Sequence, residues 1–159
     1  MSAIPTWDLT TLYSGLDSPA FTGALDSVEA ALDYLEEQAA SGEDLPALLG
    51  ELNRTALALS GPEVYLSLRG MTEPMSADLS RHSIRAGVLK DRQRRLWDTL
   101  LQSLVSRPDA GELLASCQPL APYRYAVQEY RRLTPHRPSP EQQTVVQAMR
   151  RNGGQGWYA

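Results

Sequence analysis

From Phe21 to Ala39 the apolar side chains fall at Phe21, Leu25, Val28, Leu32, Leu35 and Ala39, in steps of four, three, four, three and four. That spacing puts them on one stripe of an α-helix, because a helix completes a turn every 3.6 residues. Asp26, Glu29, Asp33 and Glu37 fall on the other side and predict a solvated acidic face. Asp17 or Ser18 can cap this helix, and Pro19 suits its first turn, where a missing N–H costs nothing. Gly42 marks the stop. Residues 1–17, with a turn at Gly15 and Asp17, read as an irregular arm in front of it.

The same period recurs downstream. A second stripe, Leu45, Leu48, Leu49, Leu52, Ala56 and Leu59, opens behind Asp44 and Pro46 and runs into Gly61-Pro62. Proline removes a helical hydrogen bond, so a kink or a break is predicted before Val64, Tyr65, Leu68 and Met71 resume the spacing. The pattern leaves open whether 45–71 is one helix or two. Ser76 is predicted to cap a long helix over 77–106, with the stripe Leu79, Ser83, Ala86, Leu89, Gln93, Leu96, Leu100 and Leu104 and with Trp97 beside it. The first half of that stripe is weakly apolar and the second strongly so; the first, richer in small and polar residues, suits a partner or a wet groove.

Shorter helices are predicted over 110–117 and from Pro119 to Thr134, the latter with Tyr123, Ala126, Val127, Tyr130 and Leu133 on one side. A last one starts at the capping box Ser139-Pro140-Glu141-Gln142 and fades after Met149. No run of β-branched residues has period two, and no repeat of fixed length occurs. The fold class is therefore all-α: a multi-helix bundle of antiparallel amphipathic helices with an irregular N-terminal arm, one domain over residues 1–159.

Charge changes the picture in one respect. Residues 1–63 hold eleven acids and one base, Arg54, whereas residues 64–159 hold fourteen bases and eight acids. A basic half can mark a nucleic-acid binder. Here the chain carries a net charge of −4, so phosphate would repel it as a whole, and no nucleic-acid partner is expected. The duller expectation is that the acidic and basic halves face each other, or that the basic half faces an acidic partner. Cys117 is the single cysteine, which excludes an internal disulfide and fits a cytoplasmic location. Met1 to Tyr13 has no basic stretch before an apolar run, so no signal peptide is expected, and no apolar window is long enough for a membrane span.

The search for chemistry returns little. A zinc hydrolase needs imidazoles converging on the metal, and neither His82 nor His136 stands in a His-Glu-x-x-His pattern. His82 reads as a surface or hydrogen-bonded helix residue, and His136 as a turn residue. Cys117 has no histidine nearby in sequence to activate it and reads as a buried structural thiol. Gly153-Gly154-Gln155-Gly156 lacks the Lys-Ser/Thr of a phosphate loop. Arg92, Arg94 and Arg95 could bind phosphate, but at helical spacing they read as a solvated face paired with Asp91 or Asp98. Glu36-Glu37 lies on an exposed face without the burial that would tune a carboxylate pair. Catalytic, cofactor-binding and metal residues are thus expected to number none, and no cofactor is expected in this chain.

Several non-catalytic segments nevertheless form a pattern. Trp7-Asp-Leu-Thr-Thr-Leu-Tyr13, then Asp17-Ser-Pro-Ala-Phe21 and the acidic helix, resemble the opening of oligoendopeptidase F, a zinc oligopeptidase of the M3 (thimet-oligopeptidase) clan. Tyr65-Leu-Ser-Leu-Arg69 is similar to that family's aromatic-and-arginine segment on an early helix. Leu120-Ala-Pro-Tyr-Arg124 through Arg131-Arg-Leu-Thr-Pro-His136 resembles its Leu-x-Pro-Tyr helix and the turn that follows, and Gly156-Trp157-Tyr158 resembles the next such stretch, cut short. Each motif is weak alone; their order and spacing carry the resemblance across essentially the whole chain.

The resemblance covers only the family's N-terminal helical region, which forms a wall or lid over a deep channel for short, unstructured peptides. The zinc-binding residues of that family lie far downstream and have no counterpart here, so none is carried over. It implies a substrate-channel lobe without peptidase activity of its own, in truncated or remnant form, zinc belonging to the full-length enzymes. The alternative is a stand-alone helical interaction protein that binds short peptides and associates with a peptidase, or with itself through an exposed apolar face.

Overall fold

Ser18 closes the arm and opens the first helix. Its Oγ accepts a hydrogen bond from the N–H of Phe21 at 3.3 Å while its carbonyl accepts from Phe21 and Thr22, both at 3.0 Å. Pro19 is the first helical residue, as its fixed φ favours. The computed structural model describes residues 8–41, 44–73 and 76–136, together with Gln142, Val145, Val146 and Met149. Over these the helices are α1 (Pro19–Ser41), α2 (Leu45–Thr72), α3 (Ala77–Ser106), α4 (Ala110–Ser116) and α5 (Arg124–Leu133). Short 3-10 segments cover Gln118–Tyr123 and Thr134–His136. Among the described residues there is no strand, so the all-α class holds. No described helix is long and apolar enough to cross a membrane.

The chain divides into two compact units, Met1–Pro122 and Tyr123–Ala159. The first is built on α1, α2 and α3, each packed on the other two, with α4 against α3. Connections of a few residues force consecutive helices to run antiparallel, so α1 and α3 run in the same direction. Their shared core is leucine-rich: Leu25, Leu32 and Leu35 of α1, Leu49, Leu52 and Leu59 of α2, and Leu79, Leu89, Leu100 and Leu104 of α3 are all essentially inaccessible to solvent. In the second unit α5 buries Val127 and Tyr130.

Several boundaries follow from local chemistry. Ser76 caps α3 by accepting from Leu79 N–H at 3.1 Å. Pro62 neither breaks nor ends α2, which continues as one helix to Thr72. A helix-interior proline costs about 3 kcal/mol. Here Pro62 is itself buried, and Leu59, Tyr65 and Leu66 anchor the helix on either side of it. The segment predicted as one helix from Pro119 starts instead as a 3-10 segment, because Pro122 has no N–H for the α-helical bond to Gln118.

Some predicted faces are corrected. On α2 the buried set includes Thr55 and Leu66, whereas Val64 and Met71 are exposed. Thr55 tolerates burial because its hydroxyl donates to the Glu51 carbonyl at 2.9 Å. On α3 the buried position is His82 rather than Ser83. Gly42, the predicted stop of α1, and Ser139-Pro140-Glu141 lie outside the described residues; Gln142, Val145, Val146 and Met149 are helical and exposed.

Candidate functional site

The polar side chains that the core does not satisfy gather near one end of the three-helix unit. Leu12 and Tyr13 form a turn whose N–H groups donate to the Leu9 carbonyl, which swings Tyr13 back onto the bundle. Upstream of it, Asp8 Oδ1 accepts from the Thr10 N–H at 2.9 Å and from its hydroxyl, and these bonds hold the Asp8 carboxyl below its ordinary pKa. Tyr13 meets Phe21 of α1 edge to face at 5.2 Å and Tyr65 of α2 at 5.1 Å between ring centroids. Phe21 in turn lies 5.4 Å from Tyr65 and 5.3 Å from the imidazole of His82 on α3. These separations are those at which aromatic pairs attract beyond simple burial.

Polar atoms sit inside this aromatic cluster. Tyr65 is fully buried and its hydroxyl has no partner among the described residues. His82 is 6% exposed, and neither ring nitrogen makes a hydrogen bond among the described residues. The Asp17 carboxylate approaches its Nε2 only to 3.8 Å and lies 3.7 Å from Arg81. The Arg69 guanidinium stands 5.8 Å from the Tyr65 ring centroid, in cation–π range, and pairs with Glu73 at 2.7 Å, yet its Nε is buried without a partner among the described residues. Each such buried group costs about 1–3 kcal/mol. His82 is therefore not the surface or hydrogen-bonded residue its sequence suggests. The spacing Leu79, His82, Ala86, Leu89 was the available signal, since it steps three, four and three like any buried stripe.

Within the first unit, bases of α3 face acids of α1. Arg85 of α3 pairs with Asp26 and Glu29 of α1, and Arg92, seven residues on, pairs with Asp33 and Glu36, each seven residues further along α1. The matching heptad steps are what two parallel helices with facing charges produce. The hydrogen bonds that Arg92 donates to Glu36 and Asp33 raise its pKa, and those that Arg85 donates to Glu29 and Asp26 do the same for Arg85. The acidic face of α1 is thus a docking strip for α3 rather than a purely solvated surface. Arg92 is taken up by α1, while Arg94 and Arg95 remain exposed.

The other residues singled out by sequence do not join this cluster. Cys117 is a free, half-buried thiol at the end of α4, less enclosed than expected. His136 is exposed in the second unit. Among the described residues no three His, Cys, Asp or Glu side chains are grouped to hold a metal ion. Compared with known protein families, curated proteins and solved structures, the chain matches none.

Proposed function

We propose that this chain is the N-terminal helical lobe of an M3-type zinc oligopeptidase related to oligoendopeptidase F. In this reading it lines the substrate channel for short peptides, has no peptidase activity by itself, and works in the cytoplasm. One observation carries the reading: Tyr13, Phe21, Tyr65 and Arg69, drawn from three separate segments that bear the resemblance, meet in one cluster. Segments resembling a family's signature are then the ones that fasten its N-terminal arm to the bundle. α3, with 30 residues and thus about 45 Å long, gives the lobe a span suited to a channel wall. The catalytic zinc would be held by polypeptide other than these residues. The genomic sequence adjoining the codon for Ala159 tests this: a His-Glu-x-x-His segment, in frame or shifted, is expected, and unrelated coding sequence would count against it.

A second reading has its own support. Leu57, Val64 and Met71 of α2 are 69%, 52% and 79% exposed and recur every seven residues, which makes an apolar stripe along one helix. In the lobe reading this stripe packs on the rest of the enzyme; in a stand-alone protein it drives self-association. Sedimentation at high concentration distinguishes them, because a strictly monomeric chain removes the self-associating form.

A further inference from the structure

Between α2 and α3 lies a groove of about 270 Å³, whose chemistry differs from that of the aromatic cluster. Its apolar part is Leu52 and Ala56 of α2 with Trp97 of α3. Asn53 and Gln93 contribute an amide from each side, and neither side chain is hydrogen-bonded among the described residues. Two cations complete the lining. Lys90 is engaged by Glu63 at 2.7 Å, whereas Arg94 is exposed and in no ion pair among the described residues.

We infer that this groove holds the C-terminal residue of a short peptide, with its α-carboxylate on Arg94 and its apolar side chain against Trp97, Leu52 and Ala56. The inference rests on the peptide-channel reading above and names where one end of the peptide is held. Guanidinium offers a planar fork that matches a carboxylate, and an unpaired one loses no existing partner on binding. The Asn53 and Gln93 amides each carry donors and an acceptor, which suits the N–H and C=O of the last peptide group. Size selects the chain end. Ligand pockets run to about 300–1,000 Å³, so a groove of 270 Å³ takes roughly one residue. Only a C-terminal residue bears a carboxylate and an apolar side chain on the same Cα; an internal acidic residue would need a neighbour to supply the apolar group.

The test is a nitrogen-15 NMR titration of the full chain with acetyl-Ala-Ala-Leu as the free acid, with its C-terminal amide, and with acetyl-Ala-Leu-Asp amide. The free acid is expected to shift the Trp97 indole and the Asn53 and Gln93 side-chain resonances, and to bind about tenfold more tightly than either amide. Arg94→Gln, at an exposed position that should leave folding intact, is expected to reduce that preference to about threefold or less. Equal binding of acid and amides would overturn the inference, as would tighter binding of the aspartyl peptide. Peptide-induced shifts confined to another face would overturn the groove but leave the peptide-channel reading standing. No shift anywhere at millimolar peptide would overturn both.

Discussion

The guanidinium of Arg92 holds the carboxylate of Glu36 with two hydrogen bonds, Nε to Oε1 at 3.1 Å and Nη2 to Oε2 at 2.7 Å, while the same Nη2 reaches Asp33 at 2.6 Å. One α3 side chain thus bridges two turns of α1 and fixes the register in which the parallel helices meet. Arg92→Gln should lower stability by about 1 kcal/mol in low salt, the upper end for pairs whose acids remain partly in water. Arg85→Gln should cost less, because the Arg85 side chain is 34% exposed against 18% for Arg92. Urea denaturation in low and high salt checks this, and both losses should shrink as salt screens the charges.

Leu32 sits at the centre of the α1 stripe and is wholly buried. Leu32→Ala should cost about 2–5 kcal/mol, the range for deleting buried methyl groups and leaving a cavity. A loss below about half a kcal/mol in chemical denaturation would contradict the packing described for α1.

Gly61 and Tyr13 are coupled. A Cβ added to Gly61 would stand 3.2 Å from the Tyr13 hydroxyl, whose ring is held between Phe21 and Tyr65. Helix propensity alone favours alanine over glycine by about 1 kcal/mol. The added Cβ also meets the Pro62 ring in either background, so the expectation is a difference: Gly61→Ala should be less favourable in the native protein than in a Tyr13→Phe background, where the hydroxyl is gone. The double-mutant cycle should show coupling of about 0.5–1 kcal/mol. An equal change in both backgrounds would mean that Tyr13 does not pack over α2.

His82 carries two buried nitrogens that have no hydrogen bond among the described residues. Replacing such a group by an apolar side chain of similar size removes the desolvation cost, so His82→Leu should stabilise the bundle by about 1 kcal/mol at pH 7. A loss above about 2 kcal/mol would show that the imidazole has a polar partner in solution.

Much of the bundle is legible in the sequence because leucine spacing reports helical faces directly. The α1 stripe from Phe21 to Leu35 is buried position for position, and Ser18 and Ser76 cap as their side chains allow. Illegible were the positions where burial falls on a polar or rigid residue. His82 and Thr55 take core places that helical spacing allows equally to the neighbouring Ser83 and Ala56, since steps of three and four both keep to one face. Pro62 is read as an interruption because its cost is local, whereas the packing that offsets it comes from other helices. The opposed charges of the two halves are plain in composition; that Arg85 and Arg92 meet α1 in matching heptads depends on helix direction, which composition does not carry. The Tyr13, Tyr65 and Arg69 cluster was visible only as separate motifs. The groove beside Arg94 needed the facing helix to exist at all.

Reconstitution bears most directly on the claim that this is a channel lobe whose chemistry is done elsewhere. The purified chain would be mixed with the zinc-bearing region of an M3-type oligopeptidase produced without its own N-terminal lobe, and cleavage of a short unstructured peptide followed with and without chelator. The chain alone should cleave nothing, the mixture should cleave the peptide, and chelator should abolish that cleavage. Chelator-sensitive cleavage by the chain alone, with contaminating proteases excluded, or a mixture that neither associates nor gains activity, would contradict the claim.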